Sequence, residues 1–202
     1  MSGSINSKAQ IFIKAVYAGF MIGIGGAVKL SLENNVIGAL LFSFGLMTIV
    51  TQGYNLYTGK IGFVSRWREL TDMLIIIAGN FVGTFLIAFL CNTAHLPIDS
   101  LALSNKKLDN SVVNIFLLSI LCGVMMYLAI DNYNKTKNIV YIIAPVMIFL
   151  LSGFEHSIAS MFYFNLAGIY SLKSVGYLLV MLVGNGIGAK LFGLKFVRKK
   201  PA

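Results

Sequence analysis

One apolar run, at about positions 139–168, constrains this chain more than any other feature. It is too long for a single plain membrane helix, because about 20 residues cross the hydrocarbon core. A polar stretch, Leu151-Ser152-Gly153-Phe154-Glu155-His156-Ser157-Ile158-Ala159-Ser160, interrupts it. Ionisable groups at membrane depth are costly and face a protein interior or a water-filled path. The interruption also frees backbone N–H and C=O groups, which is tolerated only where that backbone packs in protein or lines a cavity. The stretch therefore reads as a pore centre, against the plainer reading of a His–Ser contact between packed helices.

Composition points the same way. The 202 residues are 57% hydrophobic and 11% charged, with a mean hydropathy of +0.83. Apolar runs of about 20 residues recur along the chain, as in an all-α polytopic membrane protein of one domain, 1–202. The net charge of +9 does not imply nucleic acid, because the basic residues sit mostly in short loops and near the termini. Cys91 and Cys122 fall inside apolar runs without metal-ligand spacing and read as small apolar residues. The apolar stretch near the N-terminus is long and has no small-residue cleavage site, so it reads as a span rather than a cleaved signal.

Taken in order, the spans lie at about 10–30, 36–50, 72–92, 111–130, 139–168 and 174–192. The second is too short for a full crossing at about 1.5 Å per residue. A break at 51–59 and a half-helix up to Arg66-Trp67-Arg68 complete it. Positions 93–110 and 131–138 read as polar loops. Six crossings put both termini on one side. Twelve of the 16 Lys and Arg residues then share that side, against Lys29, Lys106, Lys107 and Lys173 on the other. The positive-inside rule makes that side the cytoplasm.

The halves also repeat. Gly79-Asn80-Phe81-Val82-Gly83 answers Gly184-Asn185-Gly186-Ile187-Gly188 at an offset of 105, and Ala18-Gly19-Phe20-Met21 answers Cys122-Gly123-Val124-Met125 at 104. The breaks at Gly53 and Gly153 differ by 100. Small residues spaced by four are common wherever membrane helices pack, so Gly79, Asn80, Gly83, Gly184, Asn185 and Gly188 read as helix-packing positions. Three spans repeated have opposite orientations: an inverted 3+3 plan, about 10–92 and 111–192, with the second and fifth helices broken at the midplane. Half-helix N-termini there favour an anion. His156 can donate to an anion or, when protonated, neutralise one. Glu155 points about 100° away on a helix and reads as support for loop N–H groups.

Gly153-Phe154-Glu155-His156-Ser157-Ile158-Ala159 closely resembles the signature of the formate/nitrite transporter family. Asn55-Leu56-Tyr57-Thr58-Gly59 resembles that family's first broken-helix loop, and the two Gly-Asn-x-x-Gly motifs extend the likeness over about 14–192. The resemblance implies a homopentamer of aquaporin-like protomers in a bilayer, in the bacterial inner membrane. Each would pass small monovalent anions of weak acids (formate, nitrite, hydrosulfide) without a cofactor or metal. It makes His156 the central pore histidine and Thr58 its partner from the opposite loop. Phe42, Leu46, Leu56, Tyr57 and Phe149 become apolar constrictions, where the plainer reading is helix packing. Asn55 joins Glu155 as loop support. Lys107 takes the place of an anion-attracting vestibule lysine, where the plainer reading is a solvated loop lysine.

The chain departs from the family pattern at Ser160 and Gly123, where the family commonly has Asn, and at Tyr57, which adds a hydroxyl to a usual bare ring. Gly123 and Tyr57 are thus expected to change the donor pattern of the pore. Two other classes compete. A pore for neutral solutes (water, polyol, ammonia) would use the same fold, although paired Asn-Pro-Ala motifs are missing. A membrane enzyme is disfavoured, because Glu155 and His156 are adjacent on different helix faces with no metal cluster, nucleophile elbow or phosphate loop beside them.

Overall fold

In the computed structural model residues 7–193 are described, and among them are nine α-helices and one 3-10 turn. The basic tail with Lys195, Arg198, Lys199 and Lys200 lies outside the described residues. Helices α1 (Ser7–Leu30), α4 (Trp67–Thr93), α6 (Val112–Thr136) and α9 (Leu172–Gly193) are long and apolar enough to cross a membrane. Helices α2 (Asn35–Thr51) and α7 (Val140–Leu151) are apolar but shorter. Between them in sequence come the short α3 (Tyr57–Lys60), α5 (Leu101–Leu108) and α8 (Ser157–Ala167).

Two helix pairs frame the molecule. Helix α1 packs on α4 and α6 on α9, while α2 meets α7 between them. Glycine lets the paired backbones touch, as membrane helices need. A Cβ on Gly83 would lie 2.1 Å from the Val16 carbonyl oxygen, and one on Gly188 1.9 Å from that of Ile120. The same holds across each pair for Gly19 against Asn80 and Gly123 against Asn185, at 2.1 and 2.2 Å. Gly123 is therefore a contact between backbones, and the expectation that it changes the pore's donors is corrected: there is no room for any side chain there.

Several boundaries differ from the sequence reading. The chain turns at 52–56 rather than over 51–59, and helix resumes at Tyr57 because the Asn80 side chain accepts the Tyr57 N–H at 2.9 Å. The half-helix expected to reach position 66 is α3 plus one 3-10 turn, Ile61–Phe63. Helix α4 begins at Trp67, earlier than 72, because Glu69 caps it by accepting from the Ser65 and Arg66 N–H groups at 2.7 and 3.3 Å. A carboxylate placed this way satisfies backbone donors at the entry to a helix. Helix α6 runs past 130 to Thr136, with Lys135 paired to Asp131 one turn back. Positions 93–110, read as a plain loop, contain α5, whose buried Ser104 and Leu108 pack it against the rest.

Candidate functional site

The site is built from the two interruptions. Each chain segment leaves its helix through a left-handed glycine, Gly53 at φ +66° and Gly153 at φ +70°, a conformation that glycine adopts without a Cβ penalty. Each then returns to helix under an asparagine. Asn80 accepts from the Tyr57 N–H and donates to the Ala15 and Asn55 carbonyls at 2.8 and 2.9 Å. Asn185 accepts from the Ser157 N–H at 2.9 Å and donates to the Ser119 and Glu155 carbonyls, both at 2.8 Å. These buried amides satisfy the backbone groups that the breaks release. Sequence reasoning took both asparagines as packing residues and missed the clamps. The signal was that Asn, not merely a small residue, repeats at the same offset as its glycines.

His156 is the N-cap of α8 and is 2% exposed. Its Nδ1 accepts from the Ala159 N–H at 3.1 Å. A neutral ring whose Nδ1 accepts carries its proton on Nε2. That Nε2–H donates to Thr58 Oγ1 at 2.9 Å. The Thr58 hydroxyl proton is left to donate elsewhere. A second proton on His156 would have to enter at Nδ1 and break the cap.

Around this contact the side chains are apolar. The Phe149 ring stacks on the imidazole with centroids 5.4 Å apart, and Phe42 meets Phe149 edge-on at 6.2 Å. Leu46 and Leu56 are buried in the same core. Tyr57 is turned differently. Its hydroxyl donates to the Leu182 carbonyl on α9 at 3.0 Å. The added hydroxyl is thus already committed to backbone, contrary to the expectation that it offers a new donor.

Glu155 and Lys107 also sit otherwise than expected. The Glu155 carboxylate takes the Lys107 ammonium at 2.5 Å and the Ser160 hydroxyl at 3.3 Å, rather than loop N–H groups. Lys107 is neither a solvated loop lysine nor an open one, since its side chain is 11% exposed and pinned to Glu155. The support expected of Asn55 is present in another form: its side chain donates to the Ile11 carbonyl at 3.2 Å. Each loop borders a cavity. Tyr54, Leu56, Lys60 and Asn134 line one of about 210 Å³, and Lys29, Lys106, Asn110 and Glu155 line one of about 220 Å³. Among the described residues no three His, Cys, Asp or Glu side chains are grouped to hold a metal ion.

Comparison with known proteins now bears on this arrangement. The chain is 26% identical over 147 residues to the formate channel FocA of Haemophilus influenzae. That match covers 63% of this chain and 52% of the relative, so the chain spans about half the length of that relative. An FNT family ion channel of known structure superposes with a TM-score of 0.86 at 24% identity, covering 97% of this chain and 92% of its own. A pentameric formate channel with formate bound gives 0.78 at 22% identity, covering 92% and 94%. At those identities the likeness is one of fold. The family model for formate/nitrite transporters matches residues 4–197, and by that match, spanning nearly the whole sequence, the chain belongs to the formate/nitrite transporter family.

Proposed function

We propose that this chain is an integral membrane protein that passes small monovalent anions of weak acids through a pore in each protomer. Six crossings in an aquaporin-like inverted 3+3 repeat would form one domain, with the second and fifth broken at the midplane. The observation that carries the reading is the Thr58–His156 contact at 2.9 Å, with Phe149 stacked on the imidazole, Phe42 edge-on to Phe149, and Leu46 and Leu56 buried in the same apolar core. A bare ion is costly among those rings. The solute meets one polar contact there, the Thr58 hydroxyl, whose oxygen is held by His156 so that its proton faces the solute. A weak acid carrying its own proton crosses the rings as a neutral molecule, and the anion forms again in the far cavity. His156 in this scheme orients Thr58 and caps α8.

The relative named above as a formate channel supports formate as a substrate, and the pentameric neighbour supports a homopentamer. The bias of Lys and Arg supports termini in the cytoplasm of a bacterial inner membrane. Anion uptake into proteoliposomes tests the reading, with formate, nitrite and hydrosulfide compared with and without a pH gradient. Saturable uptake that rises with an inward proton gradient is the expected result. Swelling in polyol or ammonia with no uptake of any of the three anions would overturn it in favour of a neutral-solute pore. Unchanged rate and selectivity in His156→Ala would remove the histidine from the mechanism.

A further inference from the structure

The first half has a groove where the second half has packed helix. Helix α8 runs eleven residues and packs along α4 and against α1. Its counterpart α3 lasts four residues and hands over to a single 3-10 turn, so it covers less of α9. The space left is an open groove of about 370 Å³, lined by Tyr57, Ile61, Leu70, Val183, Ile187 and Leu191. Lys190 is the one charged side chain in its lining. Its ammonium donates to the Val64 carbonyl, which places this end of the groove beside the segment that leads into α4. Arg66 follows two residues later, exposed, and precedes Leu70 by four positions, one helical turn away on the same side. Trp67 is 87% exposed at this end, a placement typical of indoles at the membrane–water interface. The nearby carboxylates are engaged elsewhere. Glu69 accepts from the Ser65 and Arg66 N–H groups, and with Asp72 it lines a different cavity, beside Ile11 and Asn55. Asp131 pairs with Lys135. Among the described residues no carboxylate reaches ion-pair distance of Arg66 or Lys190.

We propose that this groove seats one anionic phospholipid, with an acyl chain along Ile61, Leu70 and Ile187 and its phosphate at Lys190 and Arg66. An apolar slot that opens between membrane helices is filled by what the bilayer supplies, and a basic cluster at its cytoplasmic end selects an anionic headgroup. The bound chain would also cover Tyr57, whose hydroxyl ties the first loop to the Leu182 carbonyl. The lipid thus takes the place that a longer first half-helix would fill. The site rests on the reading of the chain as a membrane protein and is independent of what its pore passes.

Native mass spectrometry of the full chain, titrated with phosphatidylglycerol or with phosphatidylcholine of the same acyl chains, measures the preference. One tightly held phosphatidylglycerol per chain is expected, bound about 20-fold tighter than phosphatidylcholine, from two cations at about fivefold each. Arg66→Gln and Lys190→Gln should each weaken phosphatidylglycerol about fivefold and leave phosphatidylcholine unchanged, while Lys190→Arg retains the preference. A phosphatidylglycerol with a photoreactive diazirine on its acyl chain should label positions 183–191 of α9. Ile187→Trp, which fills the groove, should abolish that label. If Lys190→Gln disturbs the fold through its lost Val64 contact, the exposed Arg66→Gln carries the test. Equal affinity for the two lipids, a preference that survives both glutamine variants, or a label spread evenly over the other exposed helices overturns the proposal. A groove that stays closed to the label in the assembled protein also overturns it and assigns the face to a neighbouring copy. A chain that holds phosphatidylglycerol here yet passes no anion keeps the lipid site and loses the pore. One that passes formate with no preference between the lipids does the reverse.

Discussion

Between α2 and α3 the Gln52 N–H reaches the Thr48 carbonyl and the Tyr54 N–H reaches that of Ile49; between α7 and α8, Ser152 reaches Ile148 and Phe154 reaches Phe149, all at 2.9 Å. Asn80 and Asn185 then grip the two returning segments with two bonds each and tie them to α1 and α6 with a third. On this shared frame the side chains differ at every working position. Asn55 stands opposite Glu155, Leu56 opposite His156, Tyr57 opposite Ser157 and Thr58 opposite Ile158. Leu56 offers no side-chain cap, and the helix after it lasts four residues; His156 caps its helix, which lasts eleven. The polar contact takes Thr58 from one loop and His156 from the other, positions that are not equivalent in the repeat. The backbone plan is duplicated, and the site exists because the side chains on it are not.

If the frame is truly shared, breaking either clamp should do equal harm. Asn80→Ala and Asn185→Ala each remove three buried hydrogen bonds, worth about 1 kcal/mol apiece. Thermal unfolding of the purified protein should show a loss of about 3 kcal/mol in each case. A large loss in one and a small loss in the other would break the equivalence. Gly19→Ala and Gly123→Ala come next. Each added Cβ meets a carbonyl oxygen at 2.1 or 2.2 Å, and overpacking of this kind costs about 2 kcal/mol. Gly123→Asn, which restores the residue common in the family, should be worse than Gly123→Ala by the same measurement. A neutral or stabilising Gly123→Asn would mean that α6 and α9 can separate there.

These contrasts also mark what the sequence could and could not say. The polar interruption at 151–160 and its partner near Gly53 were legible, because a carboxylate and an imidazole inside an apolar run have few tolerable places. The twin asparagines were visible, but a buried amide that clamps a loop from another helix looks the same in sequence as one that packs. The Lys107–Glu155 pair was not legible at all. Its partners lie 48 positions apart, and one of them sits on an eight-residue helix too short and too polar to stand out from the loops around it. Gly123 was misread for a related reason. A departure from a family pattern says that a side chain is gone, and only the 2.2 Å approach of Asn185 says why none would fit.

Smaller effects sharpen the comparison. Thr58→Val keeps the shape of the side chain and leaves the buried His156 Nε2–H without its acceptor, at a cost of about 1.5 kcal/mol. Anion uptake in proteoliposomes should fall about tenfold in that variant, the change expected if a contact of about 1.4 kcal/mol is lost at the barrier. Ile158→Thr, which puts a hydroxyl at the equivalent position of the other loop, should not rescue it. Rescue would mean that the two loops are interchangeable after all.

The smallest predicted change tests the turns themselves. Gly53 and Gly153 have nearly the same left-handed φ, and a Cβ on either would meet nothing within 4 Å. Alanine there suffers no clash, so its penalty is the backbone term alone, about 1 kcal/mol for an L-residue held in the left-handed region. Gly53→Ala and Gly153→Ala should therefore lower stability by the same small amount, read from thermal unfolding. Neither should change which anion is taken up, because neither touches the Thr58–His156 contact. The informative outcome is a difference in uptake between them. Gly153 lies three residues before His156 and lines the cavity of Lys29 and Lys106, whereas Gly53 lines the cavity with Lys60. Equal stability with slower uptake in Gly153→Ala alone would place the limiting step on the second-loop side.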